Sequence, residues 1–404
     1  MNTQIEDRAM FYIPVADGMR ALCVGIVGWY HIWQQSWLEP TFTLMGRSYT
    51  LLPLVRVGYI MVDLLLLLSG FLLFLPYARS RVVGGPMPSM RSFYRKRVTR
   101  VLPSYYLSIL IVLFCFALPQ REYHTRAELW QDLWTHLTMT HTFFRSTYQY
   151  TKLNVVLWTL AIEAQAYVVF PLLARAFAKK PLVTYLCMVI AGFAYRLGIL
   201  HWGPEDLSVW VNQLPAFADV YANGMLAALL YVMLARRGGL RSPWLRAAAT
   251  VGACLALWGI WQIVTRQSTM GWDTRGIHVG QCVHRFPLSA LGALWLLLAS
   301  QAFRGFQAVF GNRLMRFFAA ISFQFYIWHQ YLAVRLRFQW RFPPYVSEFP
   351  QREGEMPWQW QYTLVCFLLA AAVAAALTYG FEKPVARLLE RKRHSKNATP
   401  KQSP

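Results

Sequence analysis

Long apolar runs recur along almost the whole chain. Residues 57–77 are an almost unbroken example, with consecutive leucines from Leu64 to Leu68. Runs of about 20 residues match a helix that crosses a hydrocarbon core ~30 Å thick. The pattern predicts about ten spans, near residues 15–35, 55–77, 101–119, 155–176, 182–200, 214–235, 244–264, 285–303, 315–336 and 361–381. We therefore predict an all-α integral membrane protein, a bundle of about ten transmembrane helices.

The distribution of charge orients this bundle. The 404 residues carry 40 Lys and Arg against 18 Asp and Glu, a formal net charge of +22. Such an excess of basic residues suggests nucleic acid as a partner. With the N-terminus in the cytoplasm, however, about 25 basic residues fall in inner loops and about 10 in outer loops, a positive-inside bias. We therefore expect both termini in the cytoplasm, the inner membrane as the location, anionic lipids as neighbours and no nucleic-acid partner.

The chain divides into one transmembrane domain, residues 1–384, and a basic cytoplasmic tail, residues 385–404, that we expect to be disordered. The first span is not a signal peptide, because it carries Asp17 and Arg20 and lacks a small-residue cleavage site. We expect a standalone protein without a fused outer domain, and the sequence leaves its oligomeric state open.

No metal or disulfide chemistry is indicated. The six cysteines are scattered without a C-x-x-C pair. His136 and His141, in the long outer segment 120–153, are five residues apart and lack an evident third ligand. The aromatic residues of this segment and of the loop 337–361 could stack on sugar rings, but they more often form the interfacial belt of a membrane protein.

Ionisable residues inside spans are costly and are functional candidates by default. The candidates are Asp17, Arg20, His31, Asp63, Glu163, Asp219 and His329. The alternative for each is a buried pair or an interhelical hydrogen bond, which is the simpler interpretation of Asp219.

The estimated depth of each residue along its helix places several of these candidates at a similar level in the membrane. Arg20 and His31 are eleven residues apart, which places them on one helix face about 16 Å from each other. His31, Asp63, Glu163 and His329 should reach a similar depth in the outer half of the membrane. Arg20 lies nearer the inner side, above Arg97 and Arg100 at the start of the third span. This arrangement predicts a polar, lined cavity.

Histidine beside a carboxylate is the usual arrangement for general base catalysis near neutral pH. Arginines at the inner rim suit a phosphorylated co-substrate, because guanidinium groups bind phosphate bidentately. Together these features favour group transfer across the membrane. A proton-coupled transporter or flippase for a sugar or lipid is the alternative, because intramembrane histidines and carboxylates also form proton relays. A receptor or structural membrane protein has no support beyond the spans.

Six motifs occur in order between residues 17 and 384. They are Asp17-Gly18-Met19-Arg20 with His31; Gly58 to Asp63 with Ser69-Gly70-Phe71-Leu72; Phe93 to Arg97 with Arg100; Trp158 to Glu163; Ser322 to Trp328-His329; and Glu382-Lys383-Pro384. In these six motifs and their order, the chain resembles the acyltransferase-3 family of multi-pass membrane O-acyltransferases. Ala164 stands where that family often has a second acid, so only Glu163 is counted.

The resemblance implies an activity and a donor. Members take an acyl group, usually acetyl, from cytosolic acyl-coenzyme A and place it on a hydroxyl of an extracytoplasmic or lipid-linked acceptor. Acceptors are mostly sugars of surface glycans and sometimes small molecules, so polysaccharide O-acetylation is the expected process. Acyl-coenzyme A, most simply acetyl-coenzyme A, would be the co-substrate, without a metal.

The resemblance also implies roles for individual residues. His31 would be the catalytic histidine and Arg20 its companion, with Glu163 and Asp63 orienting or charge-balancing His31. The coenzyme phosphates would bind Arg97 and Arg100, within the basic motif that includes Arg95. The acyl path would be lined by Ser69, Gly70 and Phe71. Four residues would bind substrate or support the site: Asp17, Trp158, Trp328 and His329.

Overall fold

The structure, a computed structural model, describes residues 12–204, 206–270, 273–352 and 356–389. The described chain is almost entirely helical, as predicted, and contains ten helices of 19 to 28 residues. We label them α1 Pro14–Ser36, α2 Met61–Val83, α3 Met90–Val112, α4 Trp158–Lys179, α5 Pro181–Trp202, α6 Ala218–Arg236, α7 Pro243–Ser268, α8 Thr274–Gln301, α9 Arg313–Phe338 and α10 Met356–Leu377.

Eight helical segments of the described chain are long and apolar enough to cross a membrane. The all-α, multi-pass membrane architecture is therefore confirmed. The segments at α1 and α9 do not belong to the eight. Helix α1 carries two charged residues, Asp17 and Arg20, and α9 carries four arginines, among them Arg316. These two helices also pack along each other.

The second helix, α2, is the centre of the bundle. In its most apolar stretch 78% is buried inside the protein, against 17% for α5 and 22% for α10, which present most of their surface outward. Helix α6 packs directly on α2, because glycines bring the two backbones together. A Cβ at Gly224 would lie 2.3 Å from the Leu67 carbonyl oxygen, and a Cβ at Gly70 would lie 2.9 Å from that of Tyr221.

Arginine side chains tie several helix ends together on one side of the bundle. The Arg81 guanidinium donates to the Ala178 and Lys179 carbonyls at the end of α4. Arg236 donates to the Val82 carbonyl at the end of α2. Cations satisfy otherwise unpaired carbonyls at helix C-termini. The ends of α2, α4 and α6 therefore share one side, in agreement with alternating spans.

Two helices begin well before their predicted spans. Helix α3 begins at Met90 and α8 at Thr274, each eleven residues earlier than the hydropathy predicted. The first turns of both helices are rich in Arg or His, which lowers the hydropathy there. As a result, Arg97 and Arg100 lie within α3, and Arg285 lies within α8 rather than at its start.

The segments between the long helices add little regular structure. A hairpin of β1 Thr41–Leu44 and β2 Arg47–Thr50 follows α1, with Thr41 paired to Thr50. A short helix, Arg126–Leu137, occupies the long segment after α3. Residues 385–389 of the predicted tail are helical; the rest of that tail, 390–404, lies outside the described residues.

Candidate active site

A cavity of about 410 Å³ opens between α1, α2, α3, α4 and α9. We call it the inner cavity, after the predicted orientation. Its polar lining residues are Asp17, Arg20, Ser69, Arg97, Arg100, Thr159, Glu163, Tyr167, Ser322 and Tyr326. Six of these were predicted site residues, and the structure brings them together from four helices. The volume lies in the usual range of ligand-binding cavities.

The charges of the inner cavity are arranged around Glu163. The hydroxyl of Tyr167, one turn further along α4, donates to Glu163 Oε2 at 3.0 Å. The Arg97 guanidinium lies 6.0 Å from the centroid of the Tyr167 ring and 5.8 Å from that of Phe93. Its buried Nε finds no hydrogen-bond partner among the described residues. Three guanidinium groups face two carboxylates in this cavity, so it can hold an anion.

A second cavity of about 360 Å³ adjoins the inner cavity, and we call it the vestibule. The two share Asp17, Arg20 and Arg100, and the vestibule adds Arg316 and Lys383. Its wall includes Glu382, whose Oε2 accepts a hydrogen bond of 3.0 Å from Gln324. The Glu382-Lys383-Pro384 motif thus lies beside the basic residues of α1 and α3.

His31 lies on α1 beyond the inner cavity, and its partner is His329 of α9. His31 Nδ1 is 2.9 Å from His329 Nε2, and the ring centroids are 5.0 Å apart. His329 Nδ1 is in turn 3.0 Å from the carbonyl oxygen of Phe325. Among the described residues, no carboxylate forms an ion pair with either ring. The expected carboxylate partner of His31 is therefore replaced by a second histidine.

An outer cavity of about 710 Å³ is lined on α1 by Tyr30 and Gln34, next to His31 in the chain, while His31 itself is not among its lining residues. Its wall contains Tyr30, whose ring centroid is 4.9 Å from that of His31. Trp158, a predicted site residue, also lines it, directly before Thr159 of the inner cavity. The remaining lining residues are Arg145, Tyr148, Gln149, Tyr150, Val155, Asp206, Leu207, Ser208, Thr274, Arg275 and His278. The wall is mainly aromatic and polar, with both charges present.

Asp63 and Glu163 do not lie beside His31 as expected. Both oxygens of the Asp63 carboxylate are 3.3 Å from Arg285 Nε, and both residues are buried. Arg285 also donates to the Val211 carbonyl at 2.7 Å. Asp63 thus belongs to a buried ion pair, while Glu163 faces the inner cavity with Arg20.

Asp219 forms a buried pair, which was the simpler interpretation of this residue from the sequence. Its carboxylate receives a bidentate hydrogen bond from Arg196 of α5, with Nη1 at 2.9 Å. Arg196 and Asp219 are 2% and 0% exposed, so this is a fully buried interhelical ion pair.

The residues of the S-G-F motif of α2 lie in two different environments. Ser69 faces the inner cavity. Gly70 instead allows the close approach of α6, and Phe71 is fully buried in the core. The prediction that Gly70 and Phe71 contact the acyl group is not supported by their placement, because a helix face that packs on α6 cannot also face the cavity.

The other predicted residues are distributed more widely. Asp17 lines both the inner cavity and the vestibule. Arg95 lines neither. Trp328 is buried beside His329 and packs near Tyr331, with ring centroids 6.3 Å apart.

Sequence reasoning missed two groups of residues. Arg196 and Arg285, the partners of the buried aspartates, were omitted from the intramembrane charges; a full inventory of charged positions within spans would have included them. Tyr167 was missed as well, although its spacing of four residues from Glu163 places both on one helix face.

The outer segment contains a separate buried cluster. The His136 and His141 rings stack with centroids 3.9 Å apart, and His136 Nδ1 is 3.1 Å from Asp132 Oδ1. Asp132 Oδ2 accepts hydrogen bonds from the Tyr123 and Thr151 hydroxyls. Burial, reinforced by the adjacent His136, lowers the pKa of His141 well below its usual range. No group of three His, Cys, Asp or Glu that could hold a metal occurs in the described part of the chain.

The fold and cavities define a multi-pass membrane protein with two polar cavities and a hydrogen-bonded histidine pair. The family described as "Acyltransferase domain" matches residues 14–380. The chain belongs to this family.

Relatives in other organisms carry related names. A protein of Acidianus two-tailed virus, named as a candidate acetyltransferase, is 25% identical over 54% of this chain and 58% of its own length. A candidate O-acetyltransferase of Staphylococcus aureus (strain COL) is 25% identical over 50% of this chain and 30% of its own. The peptidoglycan O-acetyltransferase of Listeria monocytogenes is 26% identical over 42% and 25%, respectively.

The chain therefore spans little more than half of the viral relative and less than a third of these bacterial relatives. No solved structure gives a significant match.

Proposed function

We propose that this protein is a membrane O-acyltransferase that transfers an acyl group, most simply acetyl, from cytosolic acyl-coenzyme A to an acceptor hydroxyl on the outer side of the inner membrane. The observation that carries the proposal is the position of His31. On α1 it lies between Val24, which lines an inner cavity rich in guanidinium groups, and Gln34, which lines an outer cavity rich in aromatic rings. The family name and the acetyltransferase relatives support the same chemistry.

The donor enters from the vestibule in this proposal. Arg100, Arg316 and Lys383 supply positive charge where the coenzyme's phosphates would bind. The inner cavity would hold the coenzyme's extended arm, which would run past Ser69 toward His31. Arg20 is about 16 Å along α1 from His31. We therefore place Arg20 in donor binding and not in direct activation of the histidine.

The acceptor enters through the outer cavity. Its tyrosines and Trp158 offer flat apolar faces of the kind on which sugar rings pack, and its amides and hydroxyls offer hydrogen bonds. A glycan of the cell surface, a lipid-linked sugar or a small hydroxyl compound would present its hydroxyl beside Tyr30, next to His31.

Transfer then needs one general base. His31 accepts the hydroxyl proton as the oxygen attacks the thioester carbonyl, so that the new C–O bond forms. The tetrahedral intermediate collapses, the C–S bond breaks, and the histidine returns the proton to the departing thiolate. A two-step route, in which Ser69 or His31 first carries the acyl group, is the alternative.

Membranes containing the protein, incubated with labelled acetyl-coenzyme A, test the proposal. We expect label to appear on envelope glycan or lipid, and the His31→Ala protein to insert normally but transfer nothing. His201→Ala, at an exposed position at the end of α5, is the matched control and should retain full transfer. An active His31→Ala protein would refute the proposal, and movement of unmodified cargo in place of acetylation would support the transporter.

A second measurement separates the two routes. Label that becomes bound to the protein itself, with acetyl-coenzyme A and no acceptor, would establish the two-step route. If Ser69 carries the group, Ser69→Ala should remove that label. Direct transfer predicts no labelled protein in either case.

A further inference from the structure

The contact between His31 and His329 determines which ring nitrogen of His31 is free. The carbonyl oxygen of Phe325, 3.0 Å from His329 Nδ1, can only accept a hydrogen bond. His329 Nδ1 therefore carries a proton. A neutral His329 then has no proton on Nε2, so this nitrogen is an acceptor.

The donor to that acceptor is His31. Its Nδ1 lies 2.9 Å from His329 Nε2, so Nδ1 of His31 carries the proton. In neutral His31 the lone pair is consequently on Nε2. The order of donors and acceptors, from His31 to His329 to the Phe325 carbonyl, is fixed at its far end by a group that cannot reverse its role.

We propose that His329 is a positioning residue that holds His31 in the tautomer with a free Nε2, making Nε2 the base of the transfer reaction. This inference rests on the proposed function. The acceptor's hydroxyl proton moves to His31 Nε2, and the resulting imidazolium keeps donating from Nδ1 to His329. His329 itself stays neutral, and the proton later leaves from His31 Nε2 to the coenzyme thiolate.

The surroundings of His329 suit this role, because the packing fixes its ring. His329 is 1% exposed. The Phe325 ring lies parallel to it, with centroids 5.7 Å apart and an interplanar angle of 5°. On α1, Gly28 leaves room for the Phe325 ring, since a Cβ there would lie 2.7 Å from it, whereas His329 Cδ2 would be at an ordinary contact distance of 3.9 Å.

Two amide substitutions at His329 test its two hydrogen bonds one at a time. A glutamine amide extends to the position of Nε2 and can still accept from His31, whereas an asparagine amide reaches only the position of Nδ1 and can bond only Phe325. We expect His329→Gln to keep kcat within about tenfold of wild type, and His329→Asn to lose ~10²-fold in kcat, the usual range for groups that orient a reactive ligand. KM for acetyl-coenzyme A should stay unchanged in both, because the inner cavity is untouched.

A purely structural role predicts a different order. If His329 only anchors α9, Asn should perform at least as well as Gln, and that result would overturn the proposal. A raised KM with unchanged kcat would overturn it as well. Thermal unfolding of each purified variant identifies any that has lost its fold, and only folded variants enter the comparison.

A spectroscopic measurement keeps the proposal testable even if both variants unfold. In protein with ¹⁵N-labelled histidine, the signals that His31→Ala removes belong to His31. We expect one protonated nitrogen, assigned to Nδ1, and one unprotonated nitrogen, assigned to Nε2; the opposite assignment would overturn the proposal. If wild-type protein transfers no acetyl group, the proposed function fails; if it does and the His329 variants match it, only this inference fails.

Discussion

Removing one member of the Asp63–Arg285 pair should destabilise the bundle strongly. The two residues are 4% and 1% exposed and come from α2 and α8. Arg285→Met would leave a buried carboxylate without its cation, together with an unpaired Val211 carbonyl. Breaking a buried ion pair in this way costs about 3–5 kcal/mol.

The expected shift in Tm follows from the size of the chain. An unfolding entropy of ~2.1 cal/mol/K per residue gives roughly 0.8 kcal/mol/K for the whole chain, so Tm should fall by about 4–6 °C. Tryptophan fluorescence during thermal unfolding of detergent-purified protein can measure this shift, since the chain has 17 tryptophans. Asp63→Leu should cause a similar loss.

The double variant Asp63→Leu/Arg285→Met distinguishes a structural pair from a catalytic carboxylate. Removing both charges should restore most of the lost stability, because no buried charge remains unpaired. Arg145→Met is the control: its ion pair with Asp206 is exposed, so its loss should cost less than about 1 kcal/mol. A double variant whose loss equals the sum of the single losses would refute the reasoning. A stable double variant without transfer activity would instead support a catalytic role for Asp63.

Three further changes have defined outcomes. Gly28→Ala should reduce transfer by tenfold or more, because the added Cβ lies 2.7 Å from Phe325 beside His329, whereas Gly25→Ala meets nothing within 4 Å and should leave initial rates unchanged. Arg97→Gln should raise KM for acetyl-coenzyme A roughly tenfold or more while exposed Arg91→Gln does not, as titrations of rate against donor would show. His141 has a lowered pKa, so stability should fall as pH drops below ~6.5, where the unfolded chain binds the proton first. His141→Phe should flatten that part of the profile in Tm measurements between pH 7 and 5, and an unchanged slope would contradict the assignment.

The spans were predictable because each depends on local composition. A run of apolar residues is long enough to cross the membrane whatever its neighbours are, and eight of the ten long helices in the described chain are such runs. The starts of α3 and α8 were missed because their first turns are basic, and hydropathy alone cannot distinguish a basic loop from a basic helix end. The basic lining of the inner cavity, Arg97 and Arg100, was nevertheless found from its position next to a span.

The pairing of polar groups was much less predictable. Depth along a helix can be estimated from the sequence, but the face of a helix cannot be assigned to a particular neighbour. Glu163 was therefore placed near His31 by depth, although it faces Arg20 in the inner cavity. The contact of His31 with His329 joins residues 298 positions apart, and the pair of Asp63 with Arg285 joins residues 222 positions apart. Such contacts depend on how the ten helices pack together, and this packing cannot be predicted from a local sequence pattern.

The polarity of α1 and α9 connects the fold to the candidate site. A helix too polar to qualify as a span by itself needs protein or a polar cavity around it. These two helices meet this requirement by packing against each other and by lining the inner cavity. The ring of His31 contacts that of His329, and Gly28 of α1 leaves room for Phe325 of α9. The charged residues that weaken α1 and α9 as membrane spans are therefore part of the same arrangement that brings the two histidines within hydrogen-bonding distance.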